Sequence, residues 1–381
     1  MRLLVAGGGT GGHVFPGIAL AEEVVTRHPR NDVVFVGTAR GLEAQVVPAA
    51  GFPIELVEVR GLKGKGPLGA LQNLLLLPRA FLQSVAILRR WRPDMVVGVG
   101  GYASGPLVLV ACLMGIPTAV QEQNAVAGLT NRILGRFVKA AFTAFPEAAR
   151  NFPRSKVHQL GNPIRRQLLE NFMRPSAAHE RARLLVFGGS QGAHALNMRV
   201  VEALPHLADL KERLAIVHQT GGRDREQVER GYRAVGFEPV VLDFITDMSR
   251  AYAEADLVLC RAGATTLAEL TVCKKPSILV PFPAAADDHQ VINAASLVAA
   301  GAAVMIEERD LTGELLAAEI RAILSNPERR RKMSVAAGRL GAPAAAREIA
   351  DVCAELVRRR WGTPHGQDRG PAFTPVRPPG L

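Results

Sequence analysis

Aromatic residues are scarce in this chain of 381 residues, at 5% of the total. Proteins that read DNA or RNA usually combine basic residues with aromatic stacking platforms or a recognisable module, and neither is evident here. Nucleic acid is therefore disfavoured as a partner, although the net charge is +11. Lys and Arg number 19 against 10 Asp and Glu over residues 1–170, 16 against 20 over 171–326, and 11 against 5 over 327–381.

Cysteine is also sparse, and its spacing excludes a disulfide framework, a zinc site or a redox pair. Cys112, Cys260, Cys273 and Cys353 lie far apart and form no CxxC. This pattern predicts reduced, buried thiols in a cytoplasmic protein.

Long unbroken apolar runs are absent as well. The run at the N-terminus extends only from Leu3 to Ala6 before glycines interrupt it, so no secretion signal is predicted. The uncharged stretch Met95–Gln121 contains several Gly and Pro residues, which would leave backbone groups unsatisfied in lipid. We interpret that stretch as a strand, a helix and a strand of an α/β core.

Short runs of Val, Leu and Ile alternate with longer helical stretches, which predicts an α/β protein with parallel sheets. The strands lack polar alternation, so both faces of each sheet are expected to be covered. One helix is predicted to begin after Gly12 with Pro16 just inside it, and another spans Asp310 to Leu324. The predicted strands are Leu3–Ala6, Val33–Val36, Ile54–Val57, Met95–Val99, Thr118–Gln121, Leu184–Phe187, Leu214–Gln219, Val240–Leu242, Leu257–Cys260, Ser277–Val280 and Ala303–Ile306.

An internal repeat organises the chain: Leu3–His13 and Leu184–His194 have the same residue at seven of eleven positions. Glycine-rich turns share one physical demand, so chance similarity is the alternative. The repeat predicts two doubly wound Rossmann-like domains facing each other across a cleft. The expected segments are an N-terminal domain (1–162), a C-terminal domain (163–342), a helix packing back on the N-terminal domain (343–360) and a disordered tail (361–381).

The first glycine-rich turn contains the dinucleotide fingerprint GxGxxG at Gly7, Gly9 and Gly12. A nicotinamide site also needs an acidic residue after the second strand, and Gly37–Thr38–Ala39 stands there instead. The turn therefore indicates a ligand-binding loop without specifying a dinucleotide.

The second turn, Gly188–Gly192, matches GxSxG, which is typical of the nucleophile elbow of hydrolases. Asp287, Asp288 and His289 are the candidate partners of Ser190 in that alternative. Because the repeat places Gly9 where Ser190 stands, a loop that cradles a ligand is favoured over a nucleophile.

Further polar clusters follow other strands, and loops after parallel strands gather at the carboxyl edge of a sheet. In the first half this edge should hold His13, Ser104, Glu122 and Asn124. In the second half it should hold Ser190, Phe244–Ile245, Arg261–Thr266 with Glu269, and Asp287–Gln290.

Seven segments, in order over roughly residues 1–357, resemble one family. They are GGGTGGH, GVGGYASGP, QEQNAVAGLTNR, GNPIR, GGSQGAHALN, CRAGATTLAEL and DDHQVINA. The chain resembles the undecaprenyldiphospho-muramoylpentapeptide beta-N-acetylglucosaminyltransferases, bacterial peptidoglycan enzymes of the glycosyltransferase family 28 type. The resemblance implies the glycosyltransferase B fold, with an acceptor- and membrane-facing N-terminal domain and a C-terminal domain that binds UDP-N-acetylglucosamine.

The resemblance also implies the reaction. The enzyme would move N-acetylglucosamine, with inversion, to the 4-hydroxyl of a lipid-linked muramoylpentapeptide, a step in the cell-wall synthesis on which cell shape and division depend. No cofactor and no metal are expected. A UDP-sugar 2-epimerase of the same fold and a non-catalytic UDP-sugar- or lipid-binding module are the alternatives.

Matching positions assign most of the expected contacts to the donor. The resemblance gives Thr10, Gly11 and Gly12 to the sugar-diphosphate site, Asn124 to the donor sugar, Arg165 and Ser190 to the nucleotide side, Ile245 to uracil, Ala264, Thr265 and Thr266 to the diphosphate, Glu269 to the ribose and Gln290 to the sugar hydroxyls. Gly101, Tyr102 and Ser104 are the expected acceptor contacts. Gln121 departs from the family, which often has His before Glu-Gln-Asn.

His13 is the candidate base, because imidazole titrates near neutrality and could take the proton of the acceptor hydroxyl. A phosphate contact or a helix cap is the alternative role for His13. Glu122 is the competing base, with Asn124 beside it in the catalytic set. For His289 a structural or donor-side polar role is favoured.

A lipid-linked acceptor would explain why the first half of the chain is basic. The apolar segment Leu68–Leu77, with Phe81 and Leu82, is flanked by Lys63, Lys65, Arg79, Arg89, Arg90 and Arg92. Such a helix suits an anionic membrane surface. A long core helix with a solvated, charged end would show the same sequence pattern. The expected location is peripheral, on the cytoplasmic side of the inner membrane.

Overall fold

The computed structural model describes residues 1–59, 77–172, 180–189 and 191–362. These residues fold into two compact units, one made of Met1–Arg166 with the chain from Ala344 onward, and one of Gln167–Pro343. Three predictions fall outside the described residues: the part of the membrane-facing segment up to residue 76, Ser190, and residues 363–381 of the tail.

The first unit is built on a parallel sheet with the strand order β3-β2-β1-β4-β5-β6-β7 among the described residues. Its strands are β1 (Arg2–Gly7), β2 (Asp32–Gly37), β3 (Ile54–Leu56), β4 (Met95–Gly100), β5 (Thr118–Glu122), β6 (Ala140–Thr143) and β7 (Val157–Gln159). Its helices are α1 (Gly11–Arg27), α2 (Glu43–Ala49), α3 (Leu77–Trp91), α4 (Ser104–Leu113), α5 (Leu129–Leu134), α6 (Pro146–Ala149) and, at the end of the chain, α15 (Ala345–Trp361), with a 3₁₀ turn at Arg154–Lys156.

The second unit has a parallel sheet in the order β10-β9-β8-β11-β12-β13 within the described chain. Its strands are β8 (Ala182–Phe187), β9 (Leu214–Gln219), β10 (Val240–Leu242), β11 (Leu257–Cys260), β12 (Ser277–Leu279) and β13 (Ala303–Met305). The helix α7 (Arg166–Phe172) leads into it, followed by α8 (His194–Ala203), α9 (Arg225–Ala234), α10 (Met248–Glu254), α11 (Ala264–Val272), α12 (His289–Ala299), α13 (Gly313–Leu324) and α14 (Pro327–Leu340), with 3₁₀ turns at Leu204–Leu210 and Ala286–Asp288.

Alternate residues of β1 belong to different hydrophobic cores, because successive side chains of a strand point to opposite faces. Leu3 and Val5 pack in the core that contains residues of α1. Leu4 and Ala6 pack in the core that contains residues of α3 and α4. Both faces of the first sheet are therefore covered, as its continuous apolar strands predict.

The helix α15 belongs to the first unit although it follows the whole of the second unit in sequence. Ile349, Cys353 and Val357 lie in the same hydrophobic core as the inner face of α1. Arg27 at the end of α1 pairs with Asp351 at 2.7 Å. The last helix thus completes the cover on one face of the first sheet.

All eleven predicted strands are present, and none of their ends differs by more than two residues. Two strands of the described residues, β6 and β7, were not predicted from the sequence. β6 reads AAFT and β7 reads VHQ, so neither contains a run of large apolar residues. They form where Ala141 pairs with Val157 and Ala119 pairs with Ala140, which are tertiary contacts that local composition does not report.

Two predicted helix starts were wrong. The helix α1 begins at Gly11, earlier than the predicted start after Gly12. Pro16 therefore lies beyond the first turn, where it has no N–H to donate to the carbonyl of Gly12. The helix expected from Asp310 begins instead at Gly313, because the hydroxyl of Thr312 accepts the N–H of Leu315 at 3.1 Å and caps it.

The cysteine prediction holds for three of the four residues. Cys260, Cys273 and Cys353 are buried and all four thiols are free. Burial raises the pKa of Cys273 and of Cys353 to about 12, so both remain protonated thiols. Cys112 is half-buried rather than buried, since it lies near the end of α4.

The stretch Met95–Gln121 forms β4, α4 and most of β5, as interpreted from its Gly and Pro residues. Throughout the described chain, no helix combines the length and apolar character that crossing a bilayer requires.

Candidate functional site

The first glycine-rich turn, Gly7–Thr10, connects β1 to α1 and lies against the turn that follows β4. Gly8 donates its N–H to the carbonyl of Gly100 at 3.1 Å. Gly101 has a φ of +81°, and a Cβ there would overlap the carbonyl oxygen of Gly8. Glycine is needed at position 101 for both reasons. The predicted site residues of these two turns are thus brought together at the carboxyl edge of the first sheet.

His13 lies in the first turn of α1, after Gly11 and Gly12. Its Nδ1 is 3.3 Å from the hydroxyl of Thr10, and its backbone N–H is bonded to the carbonyl of the same residue at 3.1 Å. The imidazole ring packs against Gly100: a Cβ on Gly100 would lie 2.7 Å from Cδ2 of His13. Thr10 and Gly100 therefore fix the orientation of the imidazole beside the two turns.

Glu122, the last residue of β5, is 2% exposed. Its carboxylate accepts the backbone N–H of Asn124 at 3.1 Å and of Gly128 at 3.0 Å, and the side-chain amide of Asn131 at 2.9 Å. These bonds turn the carboxylate inward and close the loop between β5 and α5. The arrangement suits a residue that positions Asn124 better than one that meets a substrate proton.

The three expected acceptor contacts differ in exposure. Tyr102 is 53% exposed and Gly101 is half-buried, so both reach the surface of the turn after β4. Ser104 is fully buried at the start of α4, and its side chain lies so close to Gly98 that a Cβ there would overlap its hydroxyl. Ser104 supports the turn from beneath.

Glu43, the first residue of α2, is a buried acidic residue that the sequence analysis missed. It is 1% exposed, and its carboxylate accepts the N–H of Gly9 at 2.6 Å and both the N–H and the hydroxyl of Thr38, at 2.8 and 2.9 Å. It is separated from Gly9 by 34 residues and from the end of β2 by a turn, so only the fold brings these groups together. The one indication in the sequence is that Glu43 is an acidic residue that follows the second predicted strand within a few residues.

Arg165, expected on the nucleotide side, is half-buried at the end of the first unit. Its guanidinium stacks over the ring of Phe15 on α1, 5.0 Å from the ring centroid. This cation–π contact holds the side chain beside the helix that begins at the first glycine-rich turn.

In the second unit, Gly188 and Gly189 follow β8, and α8 begins at His194, two positions later in the repeat than the start of α1 at Gly11. A Cβ on Gly192, whose φ is +74°, would overlap the carbonyl of Thr220 in the turn after β9. His194, the counterpart of His13 in the repeat, pairs through Nδ1 with Asp224 at 2.9 Å. Although burial opposes it, the hydrogen bonds from His194 and Asn197 hold the pKa of Asp224 below its usual value.

The turn after β10 carries the residue expected to recognise uracil. Ile245 is 8% exposed, and the amide of Gln219 donates to the neighbouring carbonyl of Asp243 at 3.1 Å. Phe244 beside it is 56% exposed. The sequence placed Phe244 at this edge without a role, and its exposure brings an aromatic ring to the surface of this turn.

The helix α11 begins with the residues expected to hold the diphosphate. Gly263 precedes it in an extended conformation, and Ala264, Thr265 and Thr266 form its first turn. Backbone N–H groups at a helix N-terminus favour a bound anion. The arrangement is therefore of the kind that stabilises a phosphate group.

Glu269 lies one turn further along α11 and is 9% exposed. The hydroxyl of Tyr252 donates to its carboxylate at 2.9 Å. Burial and the neighbouring carboxylate raise the pKa of Tyr252 well above its usual value, so the phenol remains the donor. Glu269 is thereby held in place with the acceptor atoms that ribose hydroxyls require.

Gln290, at the start of α12, accepts the backbone N–H of Phe282 through its side-chain oxygen at 3.0 Å. This bond fixes which end of the amide faces the turn after β12. Asp287 and Asp288, just before α12, have left-handed φ values of +53° and +50°.

Arg261 connects the turns after β11 and β12. It is 9% exposed, donates to the carbonyls of Val280 and Pro281 at 3.3 and 3.1 Å, and pairs with Glu308. Among the described residues, no three His, Cys, Asp or Glu side chains are grouped so as to hold a metal ion.

The comparisons with known proteins cover both units. The model of the glycosyltransferase family 28 N-terminal domain matches residues 3–143, and that of the C-terminal domain matches residues 183–351. The UDP-N-acetylglucosamine--N-acetylmuramyl-(pentapeptide) pyrophosphoryl-undecaprenol N-acetylglucosamine transferase of Anaeromyxobacter sp. (strain Fw109-5) is 80% identical over 381 residues, 100% of each chain.

Two solved structures have a fold similar to that of this chain. The crystal structure of Acinetobacter baumannii MurG is 33% identical with a TM-score of 0.76, covering 93% of this chain and 99% of that one. A UDP-GlcNAc 2-epimerase from Neisseria meningitidis, bound to UDP-GlcNAc, has a TM-score of 0.66 at 14% identity, covering 93% of this chain and 100% of that one, and shares the fold alone. The glycosyltransferase B fold and the predicted family are thus confirmed. The chain belongs to glycosyltransferase family 28.

Proposed function

We propose that this chain transfers N-acetylglucosamine from UDP-N-acetylglucosamine to the 4-hydroxyl of an undecaprenyl-diphosphate-linked muramoylpentapeptide. The observation that carries the proposal is the 80% identity, over the full length of both chains, to a transferase named for that donor and acceptor. The alternative 2-epimerase activity rests on a likeness of fold at 14% identity, which carries no function.

The donor is assigned mainly to the second unit. The α11 N-terminus would receive the diphosphate, Glu269 the ribose and the turn at Ile245 the uracil. The Tyr252–Glu269 bond and the Phe282–Gln290 bond support these assignments, because they hold the two polar side chains in fixed orientations before any ligand arrives. The amides of α11 would stabilise the charge on the departing UDP.

The acceptor is assigned to the carboxyl edge of the first sheet, beside Gly101, Tyr102 and His13. In the proposed step the acceptor oxygen forms a bond to the anomeric carbon while the bond from that carbon to the diphosphate oxygen breaks. The attack comes from the face opposite UDP, so the configuration inverts. The hydroxyl proton passes to the base.

His13 is the favoured base. The bond between Thr10 and Nδ1 fixes the ring, and an imidazole gains a proton readily near neutral pH. Glu122 is the weaker candidate, because three N–H donors already occupy its buried carboxylate. We assign to Glu122 the positioning of Asn124, which would contact the donor sugar.

The proposed location is peripheral, on the cytoplasmic face of the inner membrane. Exposed apolar side chains lie on three helices of the first unit: Leu82 on α3 is 71% exposed, Leu113 on α4 is 80% exposed and Ile133 on α5 is 50% exposed. Basic residues Arg132, Arg136 and Lys139 lie on or just after α5 and are exposed. Apolar and basic residues together suit an anionic lipid surface, where a lipid-linked acceptor resides.

The test is transfer of radiolabelled N-acetylglucosamine from UDP-N-acetylglucosamine to the lipid-linked acceptor, with EDTA present. The wild type should form labelled product, and His13→Ala should lower kcat by about 100-fold or more, the usual scale of a general base. The dissociation constant for UDP-N-acetylglucosamine should change little, because most proposed donor contacts lie in the second unit.

The matched control is His28→Ala, which removes an exposed imidazole just after the other end of α1 and should leave transfer unchanged. Release of UDP with epimerised sugar, or tight donor binding without transfer when acceptor is supplied, would overturn the proposed function. Full activity of His13→Ala would overturn the assignment of the base.

A further inference from the structure

Glu43 places a buried carboxylate directly behind the first glycine-rich turn. The carboxylate is within hydrogen-bond distance of three donors: the N–H of Gly9, the N–H of Thr38 and the hydroxyl of Thr38. Bonds from neutral donors to an ionised acceptor are about twice as strong as neutral ones. As the first residue of α2, Glu43 also lies at the end of the helix dipole that favours negative charge.

The surrounding backbone is shaped to admit this side chain. A Cβ on Gly8, Gly37 or Gly41 would overlap the side chain of Glu43. Two turns, the first glycine-rich turn and the connection from β2 to α2, therefore close around one carboxylate. Any larger residue at these glycines would displace it.

The same turn is held from its other side. Gly8 donates to the carbonyl of Gly100, so the backbone of Gly8 and Gly9 lies between the Glu43 carboxylate and the turn after β4. Thr10 and His13 follow at once, joined by the contact of 3.3 Å between the Thr10 hydroxyl and Nδ1. The position of the imidazole thus depends on where Glu43 holds Gly9.

We propose that Glu43 is a positioning residue for the transfer step: its carboxylate sets the conformation of the first glycine-rich turn and so the place of Thr10 and His13. This inference rests on the proposed function. Glu43 is too deeply buried to touch substrate, and it acts only through the turn. Its loss should slow the chemical step while leaving binding of the donor to the second unit intact.

Three variants of graded severity test the inference. Glu43→Gln keeps the shape but turns one acceptor oxygen into a donor that faces an N–H, and should lower kcat by about 30-fold, equivalent to the loss of one bond to a charged group. Thr38→Ala removes only the hydroxyl bond to the carboxylate and keeps both N–H bonds, so it should lower kcat less, by about tenfold. In both, KM for UDP-N-acetylglucosamine should change several-fold less than kcat, because most of the donor contacts are assigned to the second unit and only Thr10, Gly11 and Gly12 of the first unit to the sugar-diphosphate site.

Chemical rescue separates positioning from general destabilisation. Glu43→Ala leaves the N–H groups of Gly9 and Thr38 facing a space large enough for a small carboxylate. Added formate should therefore raise the kcat of this variant by at least about tenfold. Formate should not rescue His13→Ala. Glu55→Gln is the matched control, because Glu55 is a half-buried glutamate of the same unit that accepts the Trp91 indole N–H at 3.0 Å, and its kcat should not change.

A wild-type kcat in Glu43→Gln would overturn the inference, as would equal changes in kcat and donor KM without formate rescue. If Glu43→Ala does not fold, Glu43→Gln and Thr38→Ala still decide the question through the split between kcat and KM. An inactive wild type would instead contradict the proposed function, so the two failures are distinguishable.

Discussion

At the scale of single residues, His218 makes the stability of the second unit depend on pH. It is fully buried on β9, with Nδ1 3.1 Å from the Tyr232 hydroxyl and Nε2 3.1 Å from the side-chain oxygen of Asn197. Burial lowers its pKa to about 3. The folded protein therefore holds a neutral imidazole at pH values where the unfolded chain, with its ordinary pKa near 6.5, binds a proton.

The direction of the effect follows from this difference. The stability that depends on neutral His218 is fully present above about pH 6.5 and is lost as the pH falls toward 3, because only the unfolded chain takes up the proton. Between pH 7 and pH 5 the loss from this one group amounts to about 2 kcal/mol. Urea denaturation at both pH values, followed by a probe in the second unit, measures it.

His218→Gln should be less stable than wild type at pH 7 but should show a smaller decrease between pH 7 and pH 5. His206→Gln, which removes an exposed imidazole from the same unit, is the control and should keep the wild-type dependence. Equal pH dependence in wild type and His218→Gln would show that burial does not suppress protonation of this ring.

At the scale of helices and strands, the proposed location depends on the exposed apolar residues on the helices of the first unit. Ile133 on α5 and Phe137 just after it are 50% and 54% exposed, beside Arg132 and Arg136. Replacing both apolar residues with Ser removes area that would enter the lipid and should weaken binding to vesicles of anionic phospholipid by about tenfold. Co-sedimentation at low and high salt measures this change.

The control for that experiment is Val240→Ser, which removes an apolar side chain of similar exposure, 54%, from the second unit. It should bind vesicles as the wild type does. Equal binding of the double variant and the wild type would place the membrane contact elsewhere on the chain.

The strands and the site differ in how far the sequence predicted them. Eleven strands were predicted because most of them are short runs dominated by Val, Leu and Ile, and such runs are typical of strands covered on both faces. β6 and β7 were missed because small or polar residues become strands only when paired with β5 and with each other. The glycine-rich turns were predicted from spacing, since positive φ restricts the residue type.

The buried side chains behind those turns could not be predicted in the same way. Glu43 reaches Gly9 across 34 residues, and Arg261 reaches Glu308 across 47. Neither partner lies within a helical turn or a hairpin of the other, so no local periodicity indicates the pair. Ser104 was expected at the carboxyl edge as an acceptor contact; it lies at that edge, at the start of α4, but its side chain is fully buried.

At the scale of the whole molecule, the chain leaves the first unit at Arg166 and returns to it at Ala344. The returning helix α15 buries Ile349, Cys353 and Val357 in the core beside α1. The cover of the first sheet is therefore completed by the last described helix. Damage to α15 should destabilise the unit that carries the proposed acceptor site and spare the unit assigned to the donor.

Ile349→Ala tests this separation, because Ile349 is fully buried in the first unit. Its truncation should lower the free energy of unfolding of that unit by about 3 kcal/mol, from lost transfer energy and the cavity left behind. UDP-N-acetylglucosamine should still bind with wild-type affinity under native conditions and raise the melting temperature of the second unit as in the wild type. Val352→Ala, at a half-buried position of the same helix, should cost less. If donor affinity fell in parallel with stability in both variants, the donor site would depend on the first unit, against its assignment to the loops of the second sheet.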